Sequence, residues 1–213
     1  MHVRQVFDRS FQVEFCELLE SRRDVRRFRS DPIPDETIEG LVELTRFSPS
    51  VGYSQPWRFV KVDSAQRREA VIASFQRANA DALASFEGER ALLYARLKLS
   101  GLQDAPVHLA VFCDATTTTG KGLGAKTMPE TLRYSAAMAI YTLWLAARVQ
   151  GIGVGWVSIL EPDLVRAALE VPPEWQFVAY LCLGYPESYD KTPELNREGW
   201  EEFDARSTQL TPR

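Results

Sequence analysis

The sequence has few cysteines and few histidines, and this scarcity excludes several kinds of chemistry. Its three cysteines, Cys16, Cys113 and Cys182, lie far apart and lack the short paired spacings of metal sites and redox motifs. Two of them fall in apolar, strand-like runs, where cysteine behaves as a small hydrophobic residue. The only histidines, His2 and His108, cannot build a histidine-based triad or metal cluster. We therefore expect no metal ion.

Long apolar runs and an excess of positive charge are missing as well. No apolar stretch approaches the roughly 20 residues that cross a bilayer, and the N-terminus lacks the apolar core of a signal peptide. A net charge of −4 over 213 residues gives no electrostatic reason to expect nucleic acid. We expect one domain in the cytoplasm, with neither a membrane nor a nucleic acid as partner.

Hydrophobic periodicity predicts an α+β fold, because helices and strands follow one another without strict βαβ alternation. Helices are predicted over 11–20, 36–47, 134–150 and 161–169, and strands over 58–63, 107–113, 154–160 and 177–184. Asp35 is the expected N-cap of the second helix. Residues 65–99 predict two amphipathic helices interrupted at Gly88, and the polar stretch 115–125 is expected to be flexible.

The run from Gly151 to Ser158, GIGVGWVS, ends a long apolar helix in alternating glycines. Glycine permits positive φ and close backbone approach, so this run can bring peptide N–H groups against a flat ligand such as a flavin ring. It equally fits a helix cap followed by a buried strand. A Rossmann motif is excluded, because here the glycines follow a helix and precede a strand. Ser158 lacks a G-x-S-x-G context, and an ordinary core hydrogen bond is the alternative to a site role.

Four arginines crowd around one aspartate where the first predicted helix ends: Arg22, Arg23, Asp24, Arg26 and Arg27. An arginine fork grips a phosphate at two points, so the cluster suits a phosphorylated ligand. A solvated charged face has the same composition. The carboxylate is expected to stay ionised among the guanidinium groups, either poised to orient a ligand hydroxyl or take a proton, or engaged in a plain ion pair.

A turn-rich loop over 48–57, SPSVGYSQPW, places Gln55 and Trp57 on either side of a proline. The amide both donates and accepts hydrogen bonds, the proline fixes φ, and the indole offers a flat wall. These features suit an imide-bearing heterocycle. An aromatic anchor in the core is the alternative interpretation for the tryptophan.

The segments 22–26, 49–57 and 151–158 together resemble the FMN-binding nitroreductase superfamily in order and spacing. Further segments are similar to one branch of it, the flavin destructases. They are the aspartate after the paired arginines, 97–101 with 105–106, 134–135, 143–148, 180–185, and 193–195 with 199–200. The resemblance runs from about residue 11 to residue 200. The chain departs from the common pattern of this branch at Ser100, at Tyr141-Thr142 and at Ala125-Lys126.

The resemblance implies a nitroreductase-like fold, with a central, mostly antiparallel sheet flanked by helices, in an intertwined homodimer. It implies a single FMN-binding domain over 11–200, a helical lid at about 65–99 and a tail, 185–213, that packs on the partner subunit. It also implies that reduced FMN is substrate as well as ligand. With O2, the flavin is fragmented into 5,6-dimethylbenzimidazole and erythrose 4-phosphate, for the lower ligand of vitamin B12. The resemblance is compatible with NAD(P)H as the source of electrons, directly or through a separate flavin reductase.

Carried over residue by residue, the resemblance implies that Asp24 and Ser158 are the catalytic pair. The aspartate is expected near the ribityl chain, as proton acceptor, and the serine near the ring. The residues expected to bind FMN are Arg22, Arg23, Arg26, Pro49, Ser50, Gln55, Gly153, Val154, Gly155 and Arg197. Two alternatives are an NAD(P)H-dependent FMN reductase or nitroreductase, in which a serine is common where Asp24 stands, and a non-catalytic flavin-binding protein.

Overall fold

The fold is built on one four-stranded sheet in which every neighbouring pair of strands is antiparallel. The computed structural model describes residues 6–96 and 101–212. The strands are β1 (Trp57–Lys61), β2 (Val107–Asp114), β3 (Gly153–Val157) and β4 (Trp175–Gly184), in the order β1-β2-β4-β3. The α+β prediction with a mostly antiparallel sheet is confirmed.

Eight α-helices surround the sheet within the described residues. They are α1 (Arg9–Ser21), α2 (Asp35–Leu44), α3 (Ala65–Ala84), α4 (Gly88–Arg96), α5 (Gly101–Asp104), α6 (Thr131–Val149), α7 (Pro162–Leu169) and α8 (Glu194–Arg197). No helix in this part of the chain combines the length and apolar character needed to cross a membrane.

Strand β2 is buried along both faces because helices cover the sheet on both sides. Its alternate residues point in opposite directions. Leu109 and Val111 pack in one cluster with Ile140 and Leu143 of α6, whereas Phe112 packs in the other. That second cluster also contains Val71 of α3 and Val165 of α7. A strand covered on both faces reads as a continuous apolar run, which is why the sequence reveals it clearly.

The prediction that Asp35 is the N-cap of helix α2 is wrong. Asp35 is the first helical residue, the N-cap is Pro34, and no side chain caps the helix. The Asp35 carboxylate instead accepts a hydrogen bond from Lys61 Nζ at 2.7 Å, which joins the helix to the end of β1. An acidic side chain in the first turn still stabilises the helix through its interaction with the helix dipole.

The predicted strand over 154–160 is shorter in the structure, because β3 ends at Val157 and Pro162 begins α7. Proline is preorganised for the first helical position, so the chain turns before it. Gly151 takes a φ of +72° directly after the α6 C-cap, Gln150. This part of the glycine run is therefore a helix end, as the alternative interpretation proposed.

The two helices predicted within 65–99 are α3 and α4, which form a hairpin with Gly88 at the start of the second helix. The end of the predicted lid and the motif residues 97–100, including Ser100, lie outside the described residues. The polar stretch 115–125 packs on the turn at 51–53. A Cβ atom added at Gly120 would overlap the carbonyl oxygen of Gly52, so the two backbones are in direct contact.

Candidate active site

The chain segment after α1 runs beside β3, an edge strand, and places Asp24 on it. Asp24 forms a parallel bridge with Val154, and the N–H of Val25 donates to the Val154 carbonyl at 3.0 Å. The N–H of Trp156 donates to Asp24 Oδ1 at 2.8 Å. Arg26 Nε lies 3.4 Å from the other carboxylate oxygen, Oδ2. Both oxygens are therefore oriented by neighbours close in space, and Oδ2 is the more weakly held.

Burial raises the pKa of Asp24 above its ordinary value. The nearby Glu194 adds to the increase, whereas the Trp156 N–H and Arg26 lower the pKa without cancelling the effect of burial. From the arginine cluster alone we expected the ionised form to be favoured, and the direction of the shift is the opposite. A carboxylate with a raised pKa is a better proton acceptor than an ordinary aspartate.

The glycines of β3 make room for the segment that carries Asp24. A Cβ atom at Gly155 would overlap the carbonyl oxygen of Val25. At Gly153, a Cβ atom would lie 2.8 Å from carbons of both Val25 and Pro186. The close packing of the Asp24 segment therefore explains why positions 153 and 155 have no room for a larger side chain. The contacts of Gly153, Val154 and Gly155 with a flavin remain a prediction.

A cleft opens beside Asp24, between the end of α1, the beginning of β3 and the segment 188–197. Six arginines and three carboxylates line it: Arg22, Arg23, Arg26, Arg27, Arg148 and Arg197, with Asp24, Asp190 and Glu194. The excess of positive charge favours an anionic ligand, and guanidinium groups are suited to phosphate. The structure thus brings together Arg22, Arg23, Asp24, Arg26, Gly153 and Arg197 of the predicted site.

Arg22 has the geometry of a prepared anion-binding residue. Its guanidinium group lies over the ring of Trp144, 4.9 Å from the centroid, and 5.9 Å from the centroid of Tyr141. Its buried Nε has no hydrogen-bond partner among the residues that the structure describes. An unsatisfied buried donor costs about 1–3 kcal/mol, so a phosphate oxygen that accepted this hydrogen bond would recover that free energy.

Two other predicted phosphate contacts are engaged with the chain itself. Arg23 Nε donates to the carbonyl of Lys191 at 2.7 Å, and burial together with Arg22 lowers the pKa of Arg23. Arg197 donates to Asp190 Oδ2 at 2.8 Å. Both side chains line the cleft, so a phosphate there would meet guanidinium groups that are already held in place.

Ser158 follows the last residue of β3 and is exposed. Its hydroxyl makes no hydrogen bond within the described part of the chain, so the interpretation as a core hydrogen bond is wrong. It lies two residues beyond Trp156, or about 7 Å along an extended chain. Its predicted place near a flavin ring remains a prediction.

The loop residues Pro49, Ser50 and Gln55 lie away from the arginine cleft. Gln55 lines a different groove, together with Trp57 and Trp175. The loop is tightly built, because the N–H of Gln55 donates to Ser50 Oγ at 3.2 Å and its Nε2 donates to the Tyr53 carbonyl at 2.6 Å. Tyr53 and Gln55 both have positive φ, 56° and 42°, a strained conformation that is frequent at ligand sites.

The sheet register separates the two groups of predicted residues. The loop precedes β1 and Asp24 bridges β3, and these strands form opposite edges, three strand spacings or about 14 Å apart. Trp57 of β1 pairs with Cys113 of β2, and Val154 of β3 pairs with Leu183 of β4, which in turn pairs with Val107 of β2. Cys113 and Val107 are six residues apart on β2, so the two sites are also separated by about 20 Å along the strand direction. One chain therefore does not bring Gln55 to Asp24.

Sequence reasoning missed several residues that shape the cleft. Trp144 and Tyr141 hold Arg22 from the middle of an apolar helix, where aromatic side chains are usually core residues. Tyr141 is also one of the positions at which this chain differs from the common sequence pattern of the flavin destructases. Glu194 contacts Arg26 from far along the chain, at a distance of 4.0 Å. No local sequence pattern indicates such a contact.

Comparisons with known proteins agree with this fold. Residues 19–185 match the sequence profile of the nitroreductase family. The chain belongs to the nitroreductase family.

Among curated proteins, the chain is similar to 5,6-dimethylbenzimidazole synthases. It is 56% identical to the one from Rhodospirillum rubrum over 201 residues, which are 94% of this chain and 95% of that protein. It is 48% identical to one from Rhodobacter capsulatus over 196 residues, 92% of this chain and 95% of the relative. These matches extend over nearly the whole length of both proteins.

Solved structures support the same fold. Oxidized iodotyrosine deiodinase bound to FMN and 3-iodo-L-tyrosine aligns with a TM-score of 0.72 and 22% identity, covering 92% of this chain and 99% of that one. A nitroreductase-like protein from Streptococcus mutans aligns with a TM-score of 0.71 and 16% identity, covering 95% of this chain and 100% of that one. At these identities the likeness concerns the fold.

Proposed function

We propose that this chain is a 5,6-dimethylbenzimidazole synthase, which fragments reduced FMN in the presence of O2 and releases 5,6-dimethylbenzimidazole and erythrose 4-phosphate. The observation that carries the proposal is the Asp24 carboxylate, fixed by the Trp156 N–H and by Arg26 at the wall of an arginine-lined cleft. In the resemblance drawn from the sequence, this aspartate separates flavin destructases from nitroreductases that recycle their flavin.

The arginine cleft holds the phosphate of FMN. The charged donors are those of Arg22, Arg23, Arg26 and Arg197. A phosphate oxygen would give the buried Nε of Arg22 the hydrogen-bond partner that it lacks within the described part of the chain. When bound, the reduced flavin supplies the electrons that O2 takes up and is itself the molecule that is broken. NAD(P)H provides those electrons in turn, directly or through a separate flavin reductase, in the cytoplasm.

Asp24 accepts a proton from the ribityl chain. Its Oδ1 is occupied by the Trp156 N–H, so Oδ2 is the oxygen that takes the proton. The two contacts keep the carboxylate in one orientation, which removes the entropic cost of positioning it for each turnover. To Ser158, whose side chain is exposed further along the same edge, we assign a contact with the ring.

The complete site needs two copies of the chain. Pro49, Ser50 and Gln55 lie at the opposite corner of the sheet from Asp24, so we place them over the flavin bound by the partner subunit, with the Gln55 amide at the pyrimidine edge. Three large apolar side chains on α6, Tyr134, Met138 and Tyr141, are exposed, and they support a homodimer interface along this helix.

Replacing Arg22 by methionine is expected to weaken the binding of oxidised FMN about tenfold to a hundredfold. The change removes a buried, charge-assisted donor, whose hydrogen bond is worth about 1.5–3 kcal/mol. Fluorescence titration of the flavin measures this loss. Arg29→Met is the matched control, because Arg29 belongs to the same basic segment but pairs with Asp31 at the surface. Equal affinities for the two variants would contradict a phosphate site at Arg22.

Mixing two inactive chains is expected to restore activity if the site is shared. In a dimer that contains one Asp24→Asn chain and one Gln55→Leu chain, one of the two sites receives both intact residues. Random pairing of equal amounts then gives about a quarter of the wild-type activity. Co-expression with two different affinity tags isolates the mixed dimer. Activity no higher than the sum of the separate variants would contradict a shared site.

The experiment that tests the function supplies the purified protein with chemically reduced FMN, admits air and follows FMN and 5,6-dimethylbenzimidazole by chromatography with mass detection. Loss of FMN matched by formation of 5,6-dimethylbenzimidazole is the expected result. Quantitative return of oxidised FMN without product would overturn the proposal in favour of a reductase or a flavin-binding protein. Oxidation of NAD(P)H added to the protein with oxidised FMN would then identify a reductase, and no oxidation would identify a flavin-binding protein.

A further inference from the structure

Residues 188–200, which we call the strap, cross the arginine cleft and are attached to its walls. The carbonyl of Lys191 accepts the hydrogen bond from Arg23 Nε. The hydroxyl of Tyr189 donates to the carbonyl of Gly151, where α6 ends. Between the cleft and the rest of the tail, α8 carries Glu194 to within 4.0 Å of both Arg26 and Arg27. The strap is therefore part of the cleft wall.

The far end of the strap is anchored on the α3–α4 hairpin. The ring of Trp200 meets Phe86 edge-on, with centroids 5.6 Å apart, and lies 6.1 Å from Tyr94. The backbone N–H of Trp200 donates to the carbonyl of Leu195 at 2.8 Å, which fixes the backbone at Trp200 relative to α8. The position of Glu194 thus depends on an aromatic contact of the same chain with the predicted lid.

Glu194 competes with Asp24 for the same guanidinium group. Arg26 Nε is 3.4 Å from Asp24 Oδ2 and 4.0 Å from Glu194 Oε2. The Arg26 and Glu194 side chains are only 12% and 18% exposed, so solvent screens their attraction less than it would at the surface. Without Glu194, Arg26 would lose one of the carboxylates that attract it and would move closer to Asp24 Oδ2, the oxygen we assign to proton transfer.

We propose that Glu194 is a positioning residue of this reaction, which keeps Arg26 from pairing fully with Asp24, and that Trp200 holds Glu194 in place through the hairpin. The proposal rests on the proposed function. Within the described residues, the groups that act on the Asp24 carboxyl include Arg26 on its own segment, Glu194 on the strap, and the Trp156 N–H and the Cys182 thiol on the sheet. Of these, Glu194 is the one that lies outside the sheet and the Asp24 segment.

Glu194→Gln is expected to lower kcat about tenfold and to change the KM for reduced FMN less than about twofold. Loss of the nearby negative charge also lowers the pKa of Asp24, so the acidic limb of the rate profile moves to lower pH. In flavin-free protein, a carbon-13 NMR titration of the Asp24 carboxyl is expected to show the same downward shift. Glu198→Gln, an exposed carboxylate one turn further on, is the matched control.

Two results would overturn the role of Glu194. Tighter FMN binding with unchanged kcat in Glu194→Gln would mean that the glutamate competes with phosphate for the arginines. An unchanged Asp24 titration would mean that it does not act on Asp24. If the wild-type protein makes no 5,6-dimethylbenzimidazole, the proposed function fails instead, and the flavin-free titration still decides whether Glu194 acts on the carboxylate.

Trp200→Leu tests the second half of the proposal. We expect Trp200→Leu to lower kcat, as Glu194→Gln does. Trp200→Phe is expected to retain most of the activity, because an aromatic ring still contacts Phe86. Combined with Glu194→Gln, Trp200→Leu is expected to add little, since both changes act through the same carboxylate. Fully additive losses of kcat would show that Trp200 does not act through Glu194.

Discussion

Replacing Asp24 by asparagine is expected to lower the formation of 5,6-dimethylbenzimidazole by at least about a hundredfold, while oxidised FMN still binds. A positioned general base contributes about this much or more to a rate. The amide oxygen of asparagine can still accept the Trp156 N–H, so the segment keeps its place on β3. Product analysis by mass detection gives the rate, and flavin fluorescence gives the affinity.

Asp31→Asn is the control for this change, because Asp31 is also an arginine-paired carboxylate but lies outside the cleft. The wild-type enzyme is expected to lose activity as the pH falls through the pKa of Asp24, since only the ionised carboxylate accepts a proton. Burial raises that pKa, so the loss begins at a higher pH than an ordinary aspartate would give. Asp24→Asn retaining full product formation would remove Asp24 from the mechanism.

Gly155→Ala is expected to have the second large effect, on both stability and activity. The added Cβ atom would overlap the Val25 carbonyl oxygen, and the backbone must shift to accommodate it. Overpacking of this kind costs about 1–3 kcal/mol in the free energy of unfolding, or a fall in Tm of roughly 5 °C. The shift moves the segment that carries Asp24, and a displacement of about 1 Å can reduce a rate about a hundredfold.

Gly40→Ala provides the matched comparison. Gly40 lies within α2, and a Cβ atom there meets no other atom within 4 Å. Replacing glycine by alanine inside a helix stabilises the helix by about 0.5–1 kcal/mol. This variant is therefore expected to have a slightly higher Tm and to keep its activity. Thermal unfolding and product assays on both variants separate a steric effect at Gly155 from a general effect of losing a glycine. A Gly155→Ala protein as active as Gly40→Ala would contradict the role of the close approach.

The sheet and the central helix could be predicted because burial imposes a simple pattern on them. Residues Val107 to Cys113 are all buried, and α6 carries eight buried residues, so their apolar runs stand out. Helix ends were less predictable, because they depend on single contacts. Asp35 has the residue type of an N-cap, but its carboxylate pairs with Lys61 instead, and Pro34 takes the cap position.

The site was predictable in its residue types and less so in its arrangement. The arginines and Asp24 are adjacent in sequence, so one segment brings them to one cleft. Their support comes from distant parts of the chain: the Trp156 N–H, the indole of Trp144 and the carboxylate of Glu194. The direction of the Asp24 pKa shift depends on burial, which the neighbouring charges in the sequence do not reveal.

The short bridge between the Asp24 segment and β3 also bears on how the protein avoids aggregation. An uncovered edge strand exposes a row of backbone groups on which another chain can add a strand. On β3, the Val154 carbonyl is taken by the N–H of Val25, and the Trp156 N–H is taken by the Asp24 carboxylate. The group that we assign to proton transfer therefore also shields this edge of the sheet against pairing with another chain.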